Sequence, residues 1–172
     1  MNVNFNLEFD DLLAFQEDVI NNSRTHDIKA KYFKWITTII ILLGMLLLVK
    51  TSLLSAIFIL IIAMIYFFLF PYLYKSMTFR KLKNKLQNND YSHILGPCQM
   101  TFSENGIDRE TKHSTSHFNW NQFEKVSEDN KHYFLYVTDL EGLIIPKQPD
   151  HMNEKEIMEY NNMIKNFIRN LK

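Results

Sequence analysis

The chain has 172 residues, with 19 Lys and Arg against 19 Asp and Glu, so its formal net charge is zero. That length holds one modest soluble domain beside an apolar segment, and with no basic stripe along the soluble part it argues against a nucleic-acid partner. The single cysteine, Cys98, excludes a disulfide framework within the chain and suits a reducing compartment.

Asn2 to Phe9 alternates, with Val3, Phe5, Leu7 and Phe9 on one face and Asn2, Asn4, Asn6 and Glu8 on the other, the period of a half-buried strand. The strand's apolar face is too large to leave in water, so it is expected to join the C-terminal β region, with the apolar segment inserted between them. Asp10-Asp11 offers an N-cap. Leu12, Phe15 and Val19 predict a helix from about Asp11 to Asn21. Asn22-Ser23-Arg24 is a break, and a helix restarting near Thr25 runs on into the apolar segment. The first 30 residues are polar and acidic, which does not fit a cleavable signal peptide. Residues 1–31 therefore read as a strand and an amphipathic helix.

Trp35 to Tyr74 is apolar almost throughout. It predicts a transmembrane hairpin within residues 32–74, with arms at about 35–49 and 53–73 joined by Lys50-Thr51-Ser52. The second arm has the length of a spanning helix. The first offers only about 22 Å of apolar helix, so a re-entrant hairpin is the main rival to full crossing. Gly44, Ser52, Ala56 and Ala63 are expected to let the arms approach closely. Arg24, Lys29, Lys31 and Lys34 precede the hairpin and Lys75, Arg80, Lys81, Lys83 and Lys85 follow it, while its tip carries only Lys50. By the positive-inside rule this predicts a cell-membrane protein with both termini cytoplasmic. Pro71 is expected to kink the second arm. Residues 75–95 read as a basic amphipathic juxtamembrane helix, ended by Asn88-Asn89-Asp90, and a linker.

From Cys98 the period becomes two, after a turn at Leu95-Gly96-Pro97. Glu104-Asn105-Gly106 signals a hairpin. Strands follow at Ile107–Lys112, Thr115–Trp120, Phe123–Glu128, His132–Thr138 and Leu143–Pro146. Asn153 with Glu156 reads as a capping box for a final helix over residues 153–171. Its stripe of Ile157, Tyr160, Ile164, Phe167 and Leu171 is expected to pack on an open face of the sheet.

Several of these pieces together resemble the YcxB-like family of bacterial membrane proteins. They are the N-terminal strand and helix with Leu13-Ala14-Phe15-Gln16, the hairpin, Leu95-Gly96-Pro97, Asn119-Trp120-Asn121 before Phe123-Glu124-Lys125-Val126, and Ile144-Ile145-Pro146-Lys147. The resemblance runs over nearly the whole chain. It implies an α+β membrane protein: the two-helix hairpin plus a cytoplasmic pleckstrin-homology-like β domain over residues 96–172, with strands in two sheets closed by the C-terminal helix. The strand count, six after Cys98 plus the N-terminal one, matches that expectation. The family implies no activity, so no catalytic residue is carried over.

The residues themselves point to little chemistry. His113 and His117 are four apart, but in a β region without a further ligand at metal spacing. Cys98 has no activating neighbour in sequence and reads as a buried strand cysteine. Trp120 reads as a core or sheet-corner residue. The basic collar Lys81, Lys83 and Lys85, together with Lys112, Lys125 and Lys147, are the candidate contacts to anionic headgroups or a partner. No catalytic residue, cofactor or metal is assigned.

The expected function is a membrane-anchored, non-enzymatic binding or regulatory protein whose cytoplasmic domain contacts a protein or lipid. An immunity protein that blocks a membrane-active toxin is one version of it. The alternative is a membrane-bound enzyme with its site between the β domain and the bilayer. The expected partners are the lipid bilayer and a protein or a second copy of the chain.

Overall fold

The computed structural model describes residues 1–49, 53–88, 91 and 94–169. The predicted Lys50-Thr51-Ser52 connection and Leu171 lie outside the described residues. Among the described residues the fold is α+β, with four α-helices and two antiparallel sheets. It divides into one unit made of residues 1–19 and 85–172 and a second made of residues 20–84.

The first unit is built on seven strands. β1 (Asn2–Leu7), β2 (Gly96–Phe102), β3 (Gly106–Thr111) and β4 (Thr115–Asn119) form one sheet in that order. β5 (Lys125–Glu128), β6 (His132–Tyr136) and β7 (Gly142–Pro146) form the other. The alternation read at the N-terminus is realised in β1, where Val3, Phe5 and Leu7 are buried and Asn2, Asn4 and Asn6 are exposed. β1 pairs antiparallel with β2, from Asn2 opposite Thr101 to Leu7 opposite Gly96. The first strand therefore completes a sheet whose other members begin 96 residues into the chain. Two glycines are required by close approach: a Cβ at Gly106 would collide with the Phe118 carbonyl oxygen, and one at Gly142 with that of Leu135. Trp120–Gln122 forms a 3-10 turn between the sheets.

Two helices close this unit. α1 (Phe9–Asn22) begins two residues before the predicted Asp11. Asp11 does not cap it from in front. Its Oδ2 accepts the Glu8 N–H at 2.8 Å from the third helical position, which is one half of a capping box. α4 (Glu154–Arg169) carries the full box, with Asn153 N–H donating to Glu156 Oε2 at 2.8 Å and Glu156 N–H to Asn153 Oδ1 at 3.1 Å. Tyr160 and Ile164 of its apolar stripe are fully buried, and Phe167 stacks on Trp120 at 4.6 Å.

The second unit holds most of α2 (Arg24–Val49) and α3 (Leu53–Gln87). The predicted break is Ser23, whose carbonyl accepts the Asp27 N–H and whose hydroxyl accepts the His26 N–H, as an N-cap does. α3 runs through Pro71 as one helix, so the second arm and the basic segment after it are a single element. It is long and apolar enough to cross a membrane by length and composition, over Ile57–Gln87, and its most apolar stretch is unburied. α2 and α3 touch antiparallel: Phe33 lies beside Tyr74, Trp35 beside Phe67, and the Tyr66 hydroxyl donates to Thr37 Oγ1 at 2.9 Å. The Lys34 ammonium sits 3.4 Å above the Phe67 ring. The expectation that Gly44 packs against the other arm is not met. A Cβ built there meets nothing within 4 Å, so aromatic and hydroxyl side chains, not that glycine, make the described contacts.

Candidate functional site

All five residues of β6 are buried, because both of its faces are covered. One face takes α1. Asp11, Phe15 and Asp18 recur at helical spacing, and each meets an alternate residue of β6. His132 Nε2 is 2.9 Å from Asp11 Oδ1, Phe15 packs on Phe134 and Tyr136, and the Tyr136 hydroxyl donates to Asp18 Oδ2 at 2.5 Å. Ser127 on β5 donates to the other Asp18 oxygen at 2.8 Å. The opposite face meets α4, where the Tyr133 hydroxyl donates to Asn161 Oδ1 at 2.9 Å.

His132 has both ring nitrogens committed, Nε2 to Asp11 and Nδ1 to Asp129 at 3.0 Å. Burial alone would lower its pKa. Hydrogen bonds to the two carboxylates and their charge outweigh burial, and the net shift is upward. Burial likewise opposes ionisation of Asp11 and Asp129, but the imidazolium and nearby backbone N–H groups win, and both pKa values fall. An imidazolium held between two carboxylates has no lone pair to act as a base. Its chemistry is that of a clamp joining α1, β6 and the β5–β6 turn. A cleft of about 450 Å³ opens beside it, lined in part by Glu8, Lys131 and Asp150.

The six candidate lysines occupy separate places. Lys81, Lys83 and Lys85 are exposed along the end of α3. Lys112 is exposed in the β3–β4 turn. Lys125 begins β5, its ammonium 5.1 Å from the Tyr136 ring. Lys147 is spent inside the domain. It bonds Glu128 Oε2 at 2.7 Å and the Asp129 carbonyl at 2.6 Å, and lies 4.7 Å from the centre of the Tyr133 ring.

Cys98 is 4% exposed in β2, and burial pushes its thiol pKa up despite the nearby Arg109. Trp120 donates its Nε1–H to the Ser103 carbonyl at 2.9 Å, stacks on Phe167 and lies tilted against Phe123. His117 is exposed, bonded to Asp108 at 2.6 Å and Asn119 at 3.2 Å, and those bonds raise its pKa. Among the described residues no group of three or more His, Cys, Asp or Glu side chains is placed to hold a metal.

A groove of about 270 Å³ runs between β5 and α4. Val126, Tyr133 and Ile168 supply its apolar lining, and Lys165 and Arg169 its positive charge. These two cations escaped the reading of charge along the chain. The available signal was their position on α4, three before and one after Ile168, which widens the apolar stripe beside Phe167.

Fold and site together define an α+β protein with a two-sheet unit cored independently of a membrane-competent helix. Residues 102–164 match the family model described as YcxB-like protein, so the YcxB-like resemblance is shown over the stretch from the end of β2 into α4. No curated protein and no solved structure matches the chain.

Proposed function

We propose that the chain is a membrane-anchored, non-enzymatic binding or regulatory protein. In this reading α2 and α3 form a two-helix hairpin in the cell membrane. Both termini are cytoplasmic, and the seven-stranded unit is a pleckstrin-homology-like domain that meets a protein or lipid partner. The observation that carries it is the exposure of α3. Leu54 is 80% exposed, Phe68 73% and Tyr72 78%, an apolar surface that a water-soluble protein would not leave bare. The excess of Lys and Arg flanking the apolar run supports the orientation. The four- and three-stranded sheets closed by α4 support the pleckstrin-like description. The β5–α4 groove, apolar inside with Lys165 and Arg169 beside it, supports a binding role.

The test uses the full chain in bacterial cells. It should stay with membranes through alkaline carbonate. In a Cys98→Ser background, a cysteine placed at Glu104 should react with an impermeant thiol reagent only after permeabilisation. Release by carbonate would overturn the anchorage, and labelling in intact cells would overturn the orientation.

A further inference from the structure

The two cations beside the β5–α4 groove are surface residues, but one further cation of the β unit points inward. On β3, Ile107, Arg109 and Thr111 alternate with the exposed Asp108 and Glu110, so Arg109 lies on the side of the sheet that faces the core. It stands opposite Met100 in the β2–β3 ladder. Together they line a cavity of about 260 Å³ bounded by α1 and strands from both sheets. Phe5, Leu7, Leu12, Phe15 and Ile144 are among its apolar lining, with Cys98, Arg109, Gln16 and Glu141 also on the wall.

An arginine cannot discard its proton, and half-buried in an apolar wall it calls for an anion. Among the described residues Arg109 forms no ion pair. Its side-chain partner is Cys98, whose thiol stays neutral because burial raises its pKa. Glu141 also lines the cavity, but it is exposed and forms no ion pair with Arg109. Among the described residues the cavity thus offers an apolar wall and one guanidinium that forms no ion pair, the complement of a single apolar tail ending in a small anion.

We propose that this cavity binds a medium-chain fatty acid, its tail among Leu7, Leu12, Phe15 and Ile144 and its carboxylate paired with Arg109. The carboxylate is favoured over a phosphate-bearing headgroup because Arg109 is the single cation among the described lining residues, enough for one negative charge. A methylene takes about the room of a water molecule, ~30 Å³ in the liquid, so the space suits a tail of roughly eight or nine carbons. This goes beyond the anchored-module reading and does not depend on which partner occupies the β5–α4 groove.

Cys98 is the chain's single cysteine and lines the cavity, so it reports occupancy directly. The full-length protein is placed in phosphatidylcholine nanodiscs and labelled with N-ethylmaleimide. Decanoate should slow labelling at least tenfold with saturable dependence, and decyltrimethylammonium should not. Arg109→Gln should abolish the protection by decanoate. A second variant, Gln16→Trp, narrows the cavity from α1 and should abolish it with Arg109 intact. Thermal melting of each variant checks that it is folded. Equal protection by the cationic amphiphile, or undiminished protection in folded Arg109→Gln, would overturn the proposal. Protection by a single-chain phosphate but not by decanoate would overturn the choice of carboxylate. Carbonate extraction of the same protein reports on anchorage alone, so failure of either idea is read separately.

Discussion

His132 on β6 and Asp11 on α1 meet at 2.9 Å although 121 residues separate them in the chain. Asp11 holds the start of its own helix with one oxygen and the strand with the other. One carboxylate thereby sets both where α1 begins and where it docks.

Stability should therefore depend on pH in two limbs. The pKa of His132 is raised by folding, so its contribution is complete below its unfolded value of about 6.5 and is lost as pH rises through the higher folded value. Asp11 and Asp129 are lowered, so theirs is complete above about 3.9 and is lost as pH falls through the folded values. Thermal melting between pH 3 and 9 should show greatest stability from these groups between those limits. His132→Gln should flatten the alkaline limb. An alkaline limb of unchanged slope in that variant would mean another group is responsible.

Asp18 accepts from Tyr136 and Ser127 at once. Burial, then the Asp18 bond, holds the Tyr136 phenol well above its ordinary pKa, so it remains a donor across the physiological range. Asp18→Ala should cost about 1–3 kcal/mol by stranding the Tyr136 hydroxyl. Tyr136→Phe should cost less, because Asp18 retains Ser127. A double-mutant cycle with a coupling near zero would show that the contact contributes nothing.

Lys147 should behave as a structural residue. Its Glu128 partner is 56% exposed, so the ion pair adds little, and the Asp129 carbonyl and Tyr133 ring supply the rest. Lys147→Met should lower stability by about 1 kcal/mol in denaturant titration and leave association with anionic vesicles unchanged. Weaker vesicle binding at equal stability would return Lys147 to the headgroup candidates.

Between α2 and α3, cysteines replacing Phe33 and Tyr74, whose rings lie 6.4 Å apart between centres, should crosslink efficiently. Tyr66→Phe removes the bond to Thr37 and should weaken the pairing by about 0.6 kcal/mol, seen as slower crosslinking. Gly44→Leu, with open space at its Cβ, should leave the rate unchanged. A large loss from Gly44→Leu would place the close approach there after all.

A chain starting at Glu8 loses Val3, Phe5 and Leu7 from the core, about 1.5–3 kcal/mol each before chain entropy is counted. Amides of β2, which faces β1 along its length, should then exchange rapidly. Retained protection in β2 would show that β1 is dispensable.

The sequence by itself determined the elements whose signals are local. The alternation of β1, the Ser23 break, the apolar length of α3, the Glu104-Asn105-Gly106 turn and the Asn153–Glu156 box can be read within a few residues, because period and capping are short-range properties. Even the return of β1 to the C-terminal strands could be inferred, since Val3, Phe5 and Leu7 required a cover. Other features depended on the tertiary structure. Asp11 and Asp18 look like ordinary solvent-facing acids of an amphipathic helix until β6 presents His132 and Tyr136 to them. Arg109 looks like a surface charge of a polar strand until its side of the sheet is known, and Lys147 like a free cation until Glu128 and Tyr133 surround it. A polar side chain's role is set by what lies across from it. In this chain the partners lie 14 to 121 residues away, beyond the reach of any local pattern.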